Sequence, residues 1–179
     1  MDKVSKRVRF ETRCLIELIA VQRYIILGND APSGVTLRYV IGSAGSYAYF
    51  SPERLKQVPD SCTAFNDWKY GLKNYQFTYH ANLLATQESR IQMRKRYLTR
   101  EIRYLYGTED LSAQDQGCEA MAQGSDHLER GQLFWKYITE THPGSWINST
   151  QNIAFVEGVA HAEAKIWESA EGQAALFSL

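Results

Sequence analysis

The sequence predicts a mostly helical α+β domain spanning residues 1–179, with one β-hairpin packed on a bundle that contains one long basic helix. Three observations carry that prediction. A single stretch alternates with period 2, a long proline-free stretch carries an apolar stripe at helical spacing, and the cations and anions are sorted along the chain. With 179 residues, 44% hydrophobic and 22% charged, the chain is long enough to bury a substantial core.

Val8, Leu15, Leu18, Ile19, Ile25 and Ile26 recur at helical spacing from about Ser5 to Leu27, and Gly28 to Pro32 supply a stop. Val35, Leu37, Tyr39 and Ile41 then alternate with Thr36, Arg38 and Val40, the pattern of a pleated strand. Gly42-Ser43-Ala44-Gly45 reads as the turn and Ser46 to Phe50 as the returning strand, closed by Pro52. Ser51 to Cys62 form a connector. From Ala64 to Tyr106 the residues Phe77, Leu84, Ile91, Leu98 and Leu105 fall at steps of seven, which predicts a helix of about 40 residues and about 60 Å. Gly107 to Gly124 is polar and predicts a mobile loop. Ser125 caps a helix to about Thr141, and Asn148 to Thr150 cap a last one reaching about Ala170.

Residues 1–103 hold 17 Lys+Arg against 9 Asp+Glu, a net of +8, whereas residues 104–179 hold 3 against 11, a net of −8. The basic part comprises the first helix, hairpin and long helix, and the acidic part the loop and last two helices. Arg90, Arg94, Lys95, Arg96, Arg100 and Arg103 cluster on the predicted long helix, where guanidinium forks suit phosphate. Lys6, Arg7 and Arg9 add a basic arm. These nine residues are the expected nucleic-acid-binding set, with DNA favoured over RNA. The expected function is a non-enzymatic DNA-binding accessory factor, as in a conjugation or phage nucleoprotein assembly of a bacterial mobile element. The exposed stripe adds the expectation of a homodimer. The alternative is a protein-binding inhibitor or adaptor whose acidic half, with Glu109, Asp110 and Asp115, engages a partner's basic surface.

Other chemistry has less support. Asp60, Asp67 and Lys69 imitate the carboxylate, carboxylate, lysine order of metal-dependent nucleases, at a spacing too short for it. His127 with Asp126 and Glu129, and His161 with Glu157 and Glu163, read as two surface clusters without the HExxH layout. No Gly-x-Ser-x-Gly context marks a serine nucleophile, and Gly42 to Gly45 lack the order of a phosphate loop. No catalytic residue, metal or cofactor is therefore expected. Cys14, Cys62 and Cys118 are odd in number and far apart, and no apolar run reaches membrane-spanning length. A reduced, cytoplasmic setting without membrane contact is the expectation.

Overall fold

Four short segments rich in β-branched and aromatic residues pair side by side, all in the same direction. In the computed structural model, residues 6–11, 22, 25, 26, 32–74, 87–141 and 147–178 are described. Strands β1 (Lys6–Glu11), β2 (Val35–Gly42), β3 (Glu101–Gly107) and β4 (Gln151–Val156) form one sheet in the order β1-β2-β3-β4. Every neighbouring pair is parallel, with Tyr39 opposite Ile102 and Tyr104 opposite Ile153. Helix α1 (Gln87–Thr99) leads into β3. The short α2 (Cys118–Met121), then α3 (His127–Glu140) and α4 (Ile147–Thr150), lie between β3 and β4. Helices α5 (Glu163–Glu168) and α6 (Ala170–Phe177) follow β4.

Parallel strands are covered on both faces, so they read as continuous buried runs. Arg38 to Ile41 in β2 and Tyr104 to Gly107 in β3 are such runs. On one face Tyr39, Ile41, Ile102, Tyr104 and Tyr106 pack with Tyr47, Tyr97, Phe134, Tyr137 and Ile138. On the other, Val40, Leu105 and Val156 pack with Ile166, Ala175 and Leu176. Helix α3 approaches the first face closely because Gly131 lies on the Tyr106 ring, where a Cβ would come within 2.2 Å of a ring carbon.

This architecture replaces the expected hairpin and helical bundle. β2 has parallel partners on both sides, and Ser46 to Phe50 return as irregular chain with one isolated bridge from Tyr49 to Gly71. The expected 40-residue helix ends at Thr99. Its described start, residues 64–74, is turns and isolated bridges, and its last six residues belong to β3, because Ile102, Tyr104, Leu105 and Tyr106 are a doubly buried strand whose apolar run also matches helical spacing. Phe77 and Leu84 lie outside the described residues. The expected first helix begins instead as β1, and of its remainder only the helical Gln22, Ile25 and Ile26 are described. The expected last helix divides into α4, β4 and α5. Helix α3 lies within its expected span, but its N-cap is Asp126, whose side chain accepts from Glu129 N–H.

The expected mobile loop is tied down. Asp110, Ala120 and Gln123 are buried, and Cys118 forms a disulfide with Cys62. Two of the three cysteines are thus joined, which the expectation of a reduced setting did not foresee, and Cys14 lies outside the described residues. No helix among the described residues is long and apolar enough to cross a membrane.

The Cys62–Cys118 bond closes a loop with a sequence separation of 56, which removes chain entropy worth roughly 4 kcal/mol from the unfolded state. Replacing both cysteines by serine is expected to lower stability by that order in urea unfolding. An unchanged midpoint would show that the bond contributes nothing.

Candidate active site

Parallel pairing brings the C-terminal ends of β2, β3 and β4 to one edge of the sheet, where α/β folds place their ligands. Ser43 directly follows β2, Asp110 follows β3 and His161 follows β4. The backbone is fastened at this edge. Ser43 N–H donates to Leu105 O at 2.8 Å, Thr108 N–H to Val156 O at 3.0 Å and Glu109 N–H to Val159 O at 2.9 Å. Gly107 permits that approach, because a Cβ there would lie 1.9 Å from Val159 O. Ser43 adopts φ 47°, the left-handed region that non-glycine residues rarely enter. Such strain at a strand end is typical of a nucleophile held on a sharp turn.

Asp110 is the hub. Its Oδ2 lies 3.0 Å from His161 Nδ1, and its Oδ1 lies 3.1 Å from His127 Nδ1. The two Nδ1 atoms are 3.1 Å apart. Asp110 is 1% exposed and His127 0%, whereas the His161 side chain retains 27%. Burial works to raise the Asp110 pKa, but hydrogen bonds from His127 and His161 outweigh it and hold the carboxyl below the usual aspartate range. The Ser43 hydroxyl is buried facing this carboxylate, closely enough to contribute to the lowering. No hydrogen bond joins Ser43 to His161 among the described residues.

Two buried side chains fix the surroundings. The Arg130 guanidinium donates to Gly124 O at 3.0 Å, Gly45 O at 2.8 Å and Asp115 O at 2.7 Å. It thereby joins the turn after Ser43 to the loop after Asp110. Gln123 donates to Tyr47 O at 2.7 Å and accepts from Tyr47 N–H at 2.8 Å. His127 stands at the first turn of α3, where its N–H donates to Ser112 O and Leu128 N–H donates to Asp110 O.

The residues expected to bind DNA do not gather here. Lys6, Arg7 and Arg9 lie in β1. Arg90 and Arg94 line a shallow cleft with Phe50, Ser51 and Ile91, and Lys95 is exposed on α1. Arg96 donates to Ile26 O, Arg100 follows α1, and Arg103 on β3 donates to Glu101 and to Thr150 O. The nine are spread over a helix, a loop and two strands, so the continuous basic helix has no counterpart. Lys69 pairs with Asp115 at 3.4 Å and Asp67 accepts from Asn74, so the nuclease-like trio is not assembled. The acidic cluster is also dispersed, with Asp110 buried and Glu129 paired with Lys56.

Sequence reasoning passed over Ser43, Asp110 and His161. The available signal was their shared context, a short apolar run ending in Gly42-Ser43, in Gly107-Thr108-Glu109-Asp110 and in Val159-Ala160-His161. Two departures from the Gly-x-Ser-x-Gly turn masked it. Ile41 stands where that motif has its first glycine, and residues 43–50 are irregular rather than helical.

No protein-family model matches the chain, and no curated protein matches it. Solved structures do. Poly(aspartic acid) hydrolase-1 from Sphingomonas sp. KT-1 matches with TM-score 0.52 and 21% identity, over 84% of this chain and 48% of its own. LpqC, a poly(3-hydroxybutyrate) depolymerase from Bordetella parapertussis, matches with TM-score 0.51 and 13% identity, over 86% of this chain and 44% of its own. The chain thus spans less than half the length of each. It shares the parallel α/β fold of these two structures. That likeness, with the parallel sheet and the scattered cations, overturns the expectations of a DNA-binding accessory factor, of a non-enzyme, and of nucleic-acid and homodimer partners.

Glu129 braces the helix end that presents His127. Burial would raise its pKa, but Ser125 N–H, Lys56 and the Ser125 hydroxyl hold it at about 2. Its stabilising contribution is complete above the ordinary glutamate pKa of 4.5 and is lost as pH falls toward 2. The pair with Lys56 is about a third exposed, so solvent screening leaves under about 1 kcal/mol. Glu129→Gln is therefore expected to melt slightly lower at neutral pH and to converge with the parent near pH 2. A gap that persists in acid would assign the loss to something other than the charge.

Proposed function

We propose that this chain carries the acyl-transfer centre of a serine hydrolase acting on a carboxylic ester or amide. Ser43 is the nucleophile, His161 the general base and Asp110 the group that orients the imidazole. The observation that carries the reading is the Asp110–His161 pair at 3.0 Å, beside a serine held at positive φ. The three follow neighbouring parallel strands in the chain order Ser, Asp, His that this fold class uses.

The chemistry follows from the geometry. Asp110, held ionised, accepts from His161 Nδ1–H and leaves Nε2 with its lone pair. That lone pair takes the Ser43 proton as Oγ attacks the acyl carbon, then returns it to the leaving alcohol or amine. Water repeats the sequence on the acyl-enzyme and regenerates Ser43. The names of the two similar structures support the bond class, since one acts on poly(aspartic acid), a polyamide, and the other on poly(3-hydroxybutyrate), a polyester. The Cys62–Cys118 bond supports an oxidising compartment in place of the cytoplasm.

Hydrolysis of p-nitrophenyl acyl esters tests the reading. Ser43→Ala, His161→Ala and Asp110→Asn are each expected to lower kcat by a thousandfold or more, in round terms about 10³ to 10⁶. A fluorophosphonate probe should attach to the peptide containing Ser43 and to that residue alone. Turnover that survives Ser43→Ala, or labelling that moves to Ser46, would defeat the assignment.

A further inference from the structure

The contacts around Asp110 exceed what hydrogen bonding can satisfy. An ionised carboxylate only accepts, so each imidazole meets it through an Nδ1–H. Those two nitrogens are then donors 3.1 Å apart, a contact that no proton can bridge. Removing the Nδ1 protons leaves lone pairs on His127 Nδ1 and His161 Nδ1, 3.1 Å apart, that face the Asp110 carboxylate, whose Oδ1 lies 3.1 Å from His127 and whose Oδ2 lies 3.0 Å from His161. We propose that Asp110, His127 and His161 form a binding site for a zinc ion, and that occupancy switches the centre off.

The dimensions suit the ion. Zn²⁺ holds imidazole nitrogen and carboxylate oxygen at about 2.0–2.2 Å, and one ligand atom from each of the three residues lies within 4.8 Å of the other two, close enough for one ion to reach them all. Two imidazoles and a carboxylate are a common donor set for it. The partly exposed edge of His161 gives access, while His127 and Asp110 are buried and held in place. Binding moves each imidazole proton from Nδ1 to Nε2. For His127 that move breaks no hydrogen bond at Nε2, which has no partner among the described residues. Among the described residues the other cluster of metal-ligating types, Cys62, Cys118 and Glu119, is not a rival, because both sulfurs are used in the disulfide.

The site stands on geometry alone, and its regulatory consequence rests on the hydrolase reading. Zinc on His161 Nδ1 leaves the proton on Nε2, the atom that has to accept the Ser43 proton. It also removes Asp110 from its orienting role. The bound ion therefore withdraws the general base without touching the nucleophile.

The test is a zinc titration of the purified chain against a chromogenic chelator, in a Cys14→Ser background so that the remaining cysteine takes no metal. One ion per chain is expected, with affinity weakened about 10-fold or more by His127→Gln and by Asp110→Asn and unchanged by Ser43→Ala. Circular dichroism of each variant confirms its fold. Cobalt(II) bound to the otherwise unaltered chain should give the visible absorption of a tetrahedral nitrogen and oxygen site, a readout that needs no His127 variant. No zinc bound at about 100 μM, some tenfold above the weakest affinity of interest, would overturn the proposal. So would affinity that His127→Gln leaves intact. Zinc should also suppress ester turnover, with recovery on chelation. A chain that binds zinc through His127 yet shows no metal-free turnover would remove the hydrolase reading and leave the site in place.

Discussion

Parallel pairing of β2, β3 and β4 is the constraint on which everything else rests. Strands that run the same way deliver their C-terminal ends to one edge, and each connection must cross over and return. Ser43, Asp110 and His161 are far apart in sequence and meet because of that geometry. It also demands cover on both faces, which α3 supplies over Tyr104 and Tyr106 and α5 and α6 supply over Val40 and Leu105. Gly131 and Gly107 mark where the cover comes too close for any side chain.

Beyond the strand ends the backbone is irregular, and its polar groups need partners away from water. Long polar side chains provide them. Gln123 pairs both backbone groups of Tyr47, and Gln22 does the same for Ala48, donating at 3.2 Å and accepting at 2.7 Å. Arg130 donates to four main-chain carbonyls, those of Gly124, Gly45, Ala113 and Asp115, and burial lowers its pKa against the pull of Asp115 and Asp126. These contacts hold the Ser43 turn and the Asp110 loop as one unit.

Two elements, β2 and α3, were legible in the sequence, while the topology was not. The period-2 pattern located β2, and the cap at Asp126 lies one residue from the expected Ser125. A strand buried on both faces erases its own alternation, so Ile102 to Tyr106 extended a helical stripe that ends at Thr99. One such misreading removed the middle of the sheet. Gly42 to Gly45 then had no parallel neighbour and became a hairpin turn, and His127 and His161 became two surface clusters. The site was illegible for the same reason, because its members share a strand end and no spacing. Even with the topology, Ile41 in place of glycine would have kept Ser43 from matching a motif.

Charge sorting misled for a different reason. Counting cations along a chain assumes they face solvent, and here many are structural. Arg38 is 2% exposed, binds Glu101 at 2.6 Å and donates to Ala175 O and Ser178 O, joining β2 to the end of α6. Arg54 lies over the Tyr49 ring and donates to Ser51 O, Phe65 O and Tyr70 O. A guanidinium has five donors and a weakly hydrated plane, so it can close off irregular buried backbone where lysine cannot. The same reasoning applies to the acidic half, where Asp110 answers two imidazoles rather than a distant partner. In this fold the charges that matter are those taken out of water, and their positions follow the ends of the strands.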